Sequence, residues 1–301
     1  MKSTLMMLAL LFSCFTFSST ARADGFRSYI SPSGSDNRPC TRTQPCRTFD
    51  GAMAKTDEGG EVIALETSAY DPATVTKSIT LTAAPGADVV IKAVTGNGVT
   101  ISPLQSSTVV LRGLKISGPG KAAGTFGVLV DPENIGLALS VENCLISDFG
   151  VGIRALEVNS AQVMVSDSVM RNNTTGALIR IFGADPMGAA FTRARFERNA
   201  VGLHVGLGNV VSVKDSVATA NGSGFLADGG SMTILNSMAS KNGTAIDTEG
   251  FGSITIGYSI VTGNTVGLAA QGSIRSMGNN MVEGNDIDQA SSPNITIITG
   301  K

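Results

Sequence analysis

The chain has no tryptophan, three tyrosines and a single histidine, and only 15% of its residues are charged. So little tryptophan and tyrosine leaves little of the aromatic surface that sugar-binding platforms usually present. Long apolar runs are missing as well. The longest, Leu5 to Phe17, falls short of the ~20 residues that span a bilayer, so no membrane span is expected. That run follows Lys2 and precedes Ala21-Arg22-Ala23, the layout of an export signal cleaved after Ala23. Leu11-Phe12-Ser13-Cys14 faintly resembles a lipoprotein signal, but Phe12 fits it poorly. The mature chain is therefore expected to start at Asp24, in the periplasm or outside the cell. Residues 1–23 hold two basic and no acidic residues, so 20 basic face 24 acidic residues afterwards, a net charge of −4. No excess of positive charge is present to attract nucleic acid or an anionic membrane.

What is abundant is glycine, 36 residues, a composition that suits an all-β chain with many tight turns. Three cysteines remain in the mature chain. Cys40 and Cys46 flank a short proline-containing loop, and an oxidising compartment favours a disulfide between them. Metal binding is the rival reading, with no third or fourth ligand nearby.

The chain also repeats. Ser216-Val217-Ala218-Thr219-Ala220-Asn221-Gly222-Ser223 is answered 21 residues later by Ser237-Met238-Ala239-Ser240-Lys241-Asn242-Gly243-Thr244. An asparagine recurs at Asn173, Asn199, Asn221, Asn242, Asn264 and Asn285, at intervals of 26, 22, 21, 22 and 21. Eight residues before each stands an apolar residue: Val165, Phe191, Val213, Ile234, Ile256 and Met277. Three after those stands a mostly small one: Ser168, Ala194, Ser216, Ser237, Ser259 and Asn280. Gly127, Gly152, Gly176, Gly202, Gly224, Ala245 and Gly267 open a further apolar alternation. Strand-like alternation at a period of ~22 residues, without a helical stripe or leucine-rich spacing, predicts a right-handed parallel β-helix in which each unit lies ~4.8 Å above the next. The asparagines then form a hydrogen-bonded ladder at a corner, in the left-handed backbone conformation that asparagine tolerates. Cys144, three after Val141, falls in the small column as a packed thiol.

Residues 24–60 stand outside the repeat as a cap. Thr48 is placed to cap a helix with Phe49, Ala52 and Met53 on one face, stopped by Gly59-Gly60. Rungs are expected over 61–301, starting near Glu61-Val62-Ile63-Ala64-Leu65, in one domain with the cap.

Tyr29-Ile30-Ser31-Pro32-Ser33-Gly34-Ser35-Asp36, then Pro39-Cys40, Pro45-Cys46-Arg47-Thr48-Phe49 and Lys77-Ser78-Ile79-Thr80-Leu81, together with the rungs, resemble the secreted bacterial right-handed parallel β-helix proteins of the pectin-lyase-like superfamily. The resemblance covers nearly all the mature chain. It implies the fold, and a binding groove along the outer face of one sheet; relatives include lyases, hydrolases, epimerases and members with no known reaction, so it does not imply one activity.

The strand after each opening glycine is the candidate for that sheet. Its first outward column is Leu129, Arg154, Leu178, His204, Leu226, Asp247 and Ala269; the next is Asp131, Leu156, Arg180, Gly206, Asp228, Glu249 and Gln271. Asp228, Asp247 and Glu249 thereby gather with His204 and Arg180 just above. Carboxylates on adjacent rungs could hold Ca²⁺, and the resemblance to pectate lyases then implies an arginine base, with Arg180 nearest. One protonated and one ionised carboxylate could instead act as a glycosidase pair. Against catalysis, the hydrolase motifs appear only as the fragments Gly202-Leu203-His204 and Arg180-Ile181-Phe182, in the wrong order, and Arg193, Arg195 and Arg198 read as a solvated face. The expectation is an exported monomeric module that binds polysaccharide or serves as a structural rod without catalysis. The alternative is a pectate-lyase-like or glycoside-hydrolase-like enzyme acting on an acidic polysaccharide.

Overall fold

The computed structural model describes residues 25–103, 106–130, 136–156, 161–180, 188–290 and 294–297, with the side chain of Leu156 left out. The export signal and Asp131 lie outside the described residues.

The strands stack into three parallel sheets. Sheet 1 has 12 strands and runs from Arg27–Ile30 to Ile295–Ile297. Sheet 2 has 10, from Ala73–Val75 to Ile287–Gln289, and sheet 3 has 10, from Ser68–Tyr70 to Met281–Val282. Each turn of the chain visits sheets 1, 3 and 2 in that order, and every neighbouring pair within a sheet is parallel. This is a right-handed parallel β-helix of about 10 turns. Its core follows from strand alternation: in Val201–Gly206, for example, Leu203 and Val205 point inward and are fully buried. Phe191, Phe196 and Phe225 fill the interior across successive rungs, with ring centroids 5.5 and 6.0 Å apart.

The two repeating corners are built from hydrogen bonds. At the corner between sheets 3 and 2, Asn221 Oδ1 accepts the backbone N–H of Asn199 at 2.9 Å. Its Nδ2 donates to Asn242 Oδ1 at 3.0 Å and to the carbonyl of Phe196 at 2.9 Å. The same pattern links Asn173, Asn199, Asn242, Asn264 and Asn285, as expected of an asparagine ladder. The left-handed residue is a different one, however. Positive φ falls on the residue before each asparagine: Asn172, Arg198, Ala220, Lys241, Gly263 and Gly284. The asparagines themselves need ordinary backbone so that the amide points into the stack.

The small-residue column at the other corner is more than packing. Ser216 Oγ accepts the N–H of Ala194, Ser237 Oγ that of Ser216 and Ser259 Oγ that of Ser237, each at 3.1 Å. Cys144 sits in this column, buried and unpaired, and burial pushes its thiol up to about 11. The opening glycines answer a close approach: a Cβ on Gly152, Gly176 or Gly202 would collide with the carbonyl oxygen of the rung beneath.

Three expectations need correction. The cap helix is one turn, Phe49–Met53, and ends at Ala54 rather than at Gly59-Gly60. Thr48 does cap it, accepting the Gly51 N–H at 2.9 Å, and Phe49, Ala52 and Met53 are buried. The strand Arg27–Ile30 already pairs with Glu61–Ala64, so stacking begins before residue 61. Finally, Ile256 pairs with Ser276, not Met277. The register offset in sheet 1 drops to 20 there, because the preceding turn, 271–272, is short, and Met277 is left 36% exposed. Cys40 and Cys46 form a disulfide that closes the cap loop.

Candidate functional site

Sheet 2 presents its outward side chains in straight columns because every strand pair is in register. Leu129, Arg154, Leu178, His204, Leu226, Asp247 and Ala269 are successive Cα partners. In the next column, Leu156 pairs with Arg180, and Gly206 with Asp228, which pairs with Glu249. Arg180, His204, Asp228, Asp247 and Glu249 therefore share one outer face. Arg154 heads the row, its guanidinium 4.4 Å from the centre of the Phe126 ring, which places a cation on one of the few aromatic faces here.

Within the row, Arg180 lies across the next rung, filling the space where Gly206 has no side chain. His204 Nε2 is buried and stands 3.9 Å from Asp228 Oδ2, too far for a hydrogen bond. Burial, reinforced by Arg180, pulls the imidazole below its ordinary value, against the pull of the Asp228 and Glu249 carboxylates. His204 is accordingly neutral in neutral solution. Asp247 behaves in the opposite sense. Burial and then the Glu249 charge raise its carboxyl, while the Ser223 hydroxyl and the Thr248 N–H oppose the shift. Glu249 is exposed at the open end of the row.

Asp228 and Glu249 are adjacent partners and Asp247 is one alternation away, as the columns required. Among the described residues, however, no three histidine, cysteine or acidic side chains are arranged to hold a metal ion. The acidic trio does not form a donor cage as it stands. Arg193 and Arg195 lie elsewhere, in exposed ion pairs with Asp167 and Glu197 at 2.6 Å. One residue near the row went unnoticed in the sequence: Phe251, in the turn after Glu249, is 92% exposed. Its signal was an aromatic residue between two glycines in a chain poor in aromatics.

No protein-family model matches the chain, and a search of curated proteins finds no match. Solved structures do match. The pectate lyase Pel9A superposes with a TM-score of 0.67 at 17% identity, over 88% of this chain and 78% of that one. XylC, solved in complex with xylose, gives 0.55 at 8% identity over 84% and 69%. An alginate lyase from Paenibacillus sp. str. FPU-7 gives 0.50 at 12% identity over 90% and 98%. At such identities the likeness shows the shared fold alone, a parallel β-helix.

Proposed function

We propose that this is an exported β-helix module that binds polysaccharide along the outer face of sheet 2 without cutting it. One observation carries the reading: the charged and polar groups of the row spread along the axis instead of converging. Arg154, Arg180, His204, Asp228 and the Asp247–Glu249 pair occupy five successive rungs, a span of ~19 Å at ~4.8 Å per rung. Such an array suits a chain laid along the solenoid. Catalysis requires groups that meet at one reacting atom. The Cys40–Cys46 disulfide supports an oxidising destination, and no helix among the described residues is long and apolar enough to cross a membrane.

A second reading has its own observation. Asp247, held protonated longer by burial and by Glu249 beside it, resembles the acid of a glycosidase pair. The test is to titrate the protein with polygalacturonate, alginate and xylan while assaying for new reducing ends and unsaturated ends. Binding without product supports the module. Product that disappears in Asp247→Asn and Glu249→Gln establishes the enzyme instead, and neither binding nor product leaves a structural rod. Melts with EDTA and with Ca²⁺, repeated for Asp228→Ala and Glu249→Ala, decide calcium: a ligand of the folded state must raise the melting temperature.

A further inference from the structure

Between sheets 2 and 1 the turns vary from rung to rung, and two of them near the acidic residues leave a large apolar side chain exposed, Leu207 and Phe251. Leu207 stands in the first, 53% exposed. Its side chain leans over the turn below, where a Cβ on Gly229 would lie 3.0 Å from Leu207 Cδ1. One rung further, Glu249 to Gly252 closes on itself, the Gly252 N–H donating to the Glu249 carbonyl at 2.8 Å. Gly250 is left-handed, with φ 54, and a Cβ there would face Asp228 Oδ1 at 3.7 Å. Gly252 has no room for a side chain at all, since a Cβ would collide with the carbonyl oxygen of Ala227. The turn is thereby held against the rung above, and its one side chain, Phe251, projects into solvent.

We infer that Phe251 is a stacking platform that seats an uncharged pyranose ring whose hydroxyls donate to Asp228 and Glu249, with Leu207 extending the apolar edge two rungs above. The inference rests on the polysaccharide-binding reading and names the sugar at one end of that face. A pyranose offers an apolar C–H face to the negative face of an aromatic ring, and hydroxyl donors around its edge. Charge then decides the class of sugar. This end of the row carries Asp228, Asp247 and Glu249, which repel a uronate. The Arg180 side chain, which crosses to the Gly206 position beside Asp228, offsets one of these three charges and leaves this end of the row negative. Arg154 is four rungs from Glu249, ~19 Å by strand spacing and beyond the ~8 Å over which physiological salt screens charges.

Because the chain has no tryptophan, Phe251→Trp makes a lone fluorescent reporter at the platform. Wild type, Phe251→Trp and Phe251→Ala would each be titrated with neutral xylo-, cello- and manno-hexasaccharides and with a galacturonate hexamer, their fold checked by circular dichroism. The expected result is a fluorescence shift of the reporter with at least one neutral sugar. Phe251→Ala should lose about fivefold in affinity for that sugar, in line with ~1 kcal/mol per stacked pair, and bind the galacturonate hexamer as wild type does. Wild-type binding of neutral sugar that Phe251→Ala leaves unchanged overturns the platform and spares the binding function. Equal losses for neutral and anionic sugars overturn the assigned class. If wild type binds none of the four, the binding function itself fails and the platform with it.

Discussion

The corner between sheets 3 and 2 and the turn between sheets 2 and 1 close the same rungs in opposite ways. At the first, a left-handed residue is followed by an asparagine, rung after rung, and the amides link every level to the next. At the second, the connections are 207–209, 229–230, 250–252 and 271–272, of changing length and composition. The difference follows from where the backbone polar groups go. Buried N–H groups at the ladder corner have no strand partner, so a side chain must satisfy them in each rung. Residues at the turn edge reach water, and their identity is free to serve something else. Repetition marks where the fold needs a residue; variation marks where a ligand can be accommodated.

The sharpest way to break this comparison is Asn221→Ala. It strands the buried Asn199 N–H and removes bonds to Asn242 and Phe196, so urea melts should show a loss of about 3 kcal/mol. Asn285→Ala, at the partly exposed end of the ladder, should cost about 1 kcal/mol, because water reaches the freed groups. Equal losses at both sites would show that the ladder does not derive its strength from burial. On the sheet 2 face, Asp247→Asn should raise the melting temperature at neutral pH. Asp247 has a folded-state pKa above its unfolded value of 3.8, so its contribution to stability is complete below that value and is lost as pH rises through the folded pKa. The gain of the asparagine variant should therefore vanish in melts below pH 3.8; a gain that persists in acid would contradict the assignment. The smallest effect belongs to Arg193→Ala. Its pair with Asp167 is close but exposed, and a thermal melt should register no resolvable shift, because solvent screens such a pair.

How far the sequence is legible varies along the same divide. The column from Leu129 to Ala269 follows from two facts available in the letters: the period fixes which residues stack, and alternation fixes which way they point. The Cys40–Cys46 pair was equally plain. Met277 was misplaced because averaging over a period hides a single short turn, which shifts the sheet 1 strand that follows it, while Asn280 and Asn285 return to the 21-residue offset. The left-handed positions were assigned to the asparagines by propensity, whereas Arg198, Ala220, Lys241 and Tyr258 hold that conformation against propensity, at roughly 1–2 kcal/mol each. Stacking on both sides imposes it. Phe251 escaped notice because it belongs to no column.

The register of the ladder also bears on how such a chain acquires its length. Every rung presents to the next the same donors and acceptors that it receives from the one before, so a duplicated stretch of about 22 residues arrives with both of its faces already matched. The likeness of residues 216–223 and 237–244, identical at four of eight positions, has the form of such an event. Growth by whole rungs lengthens the solenoid by ~4.8 Å at a time. It leaves each new turn edge free to diverge, so that the length of the rod and the character of its edge are set by separate mutations.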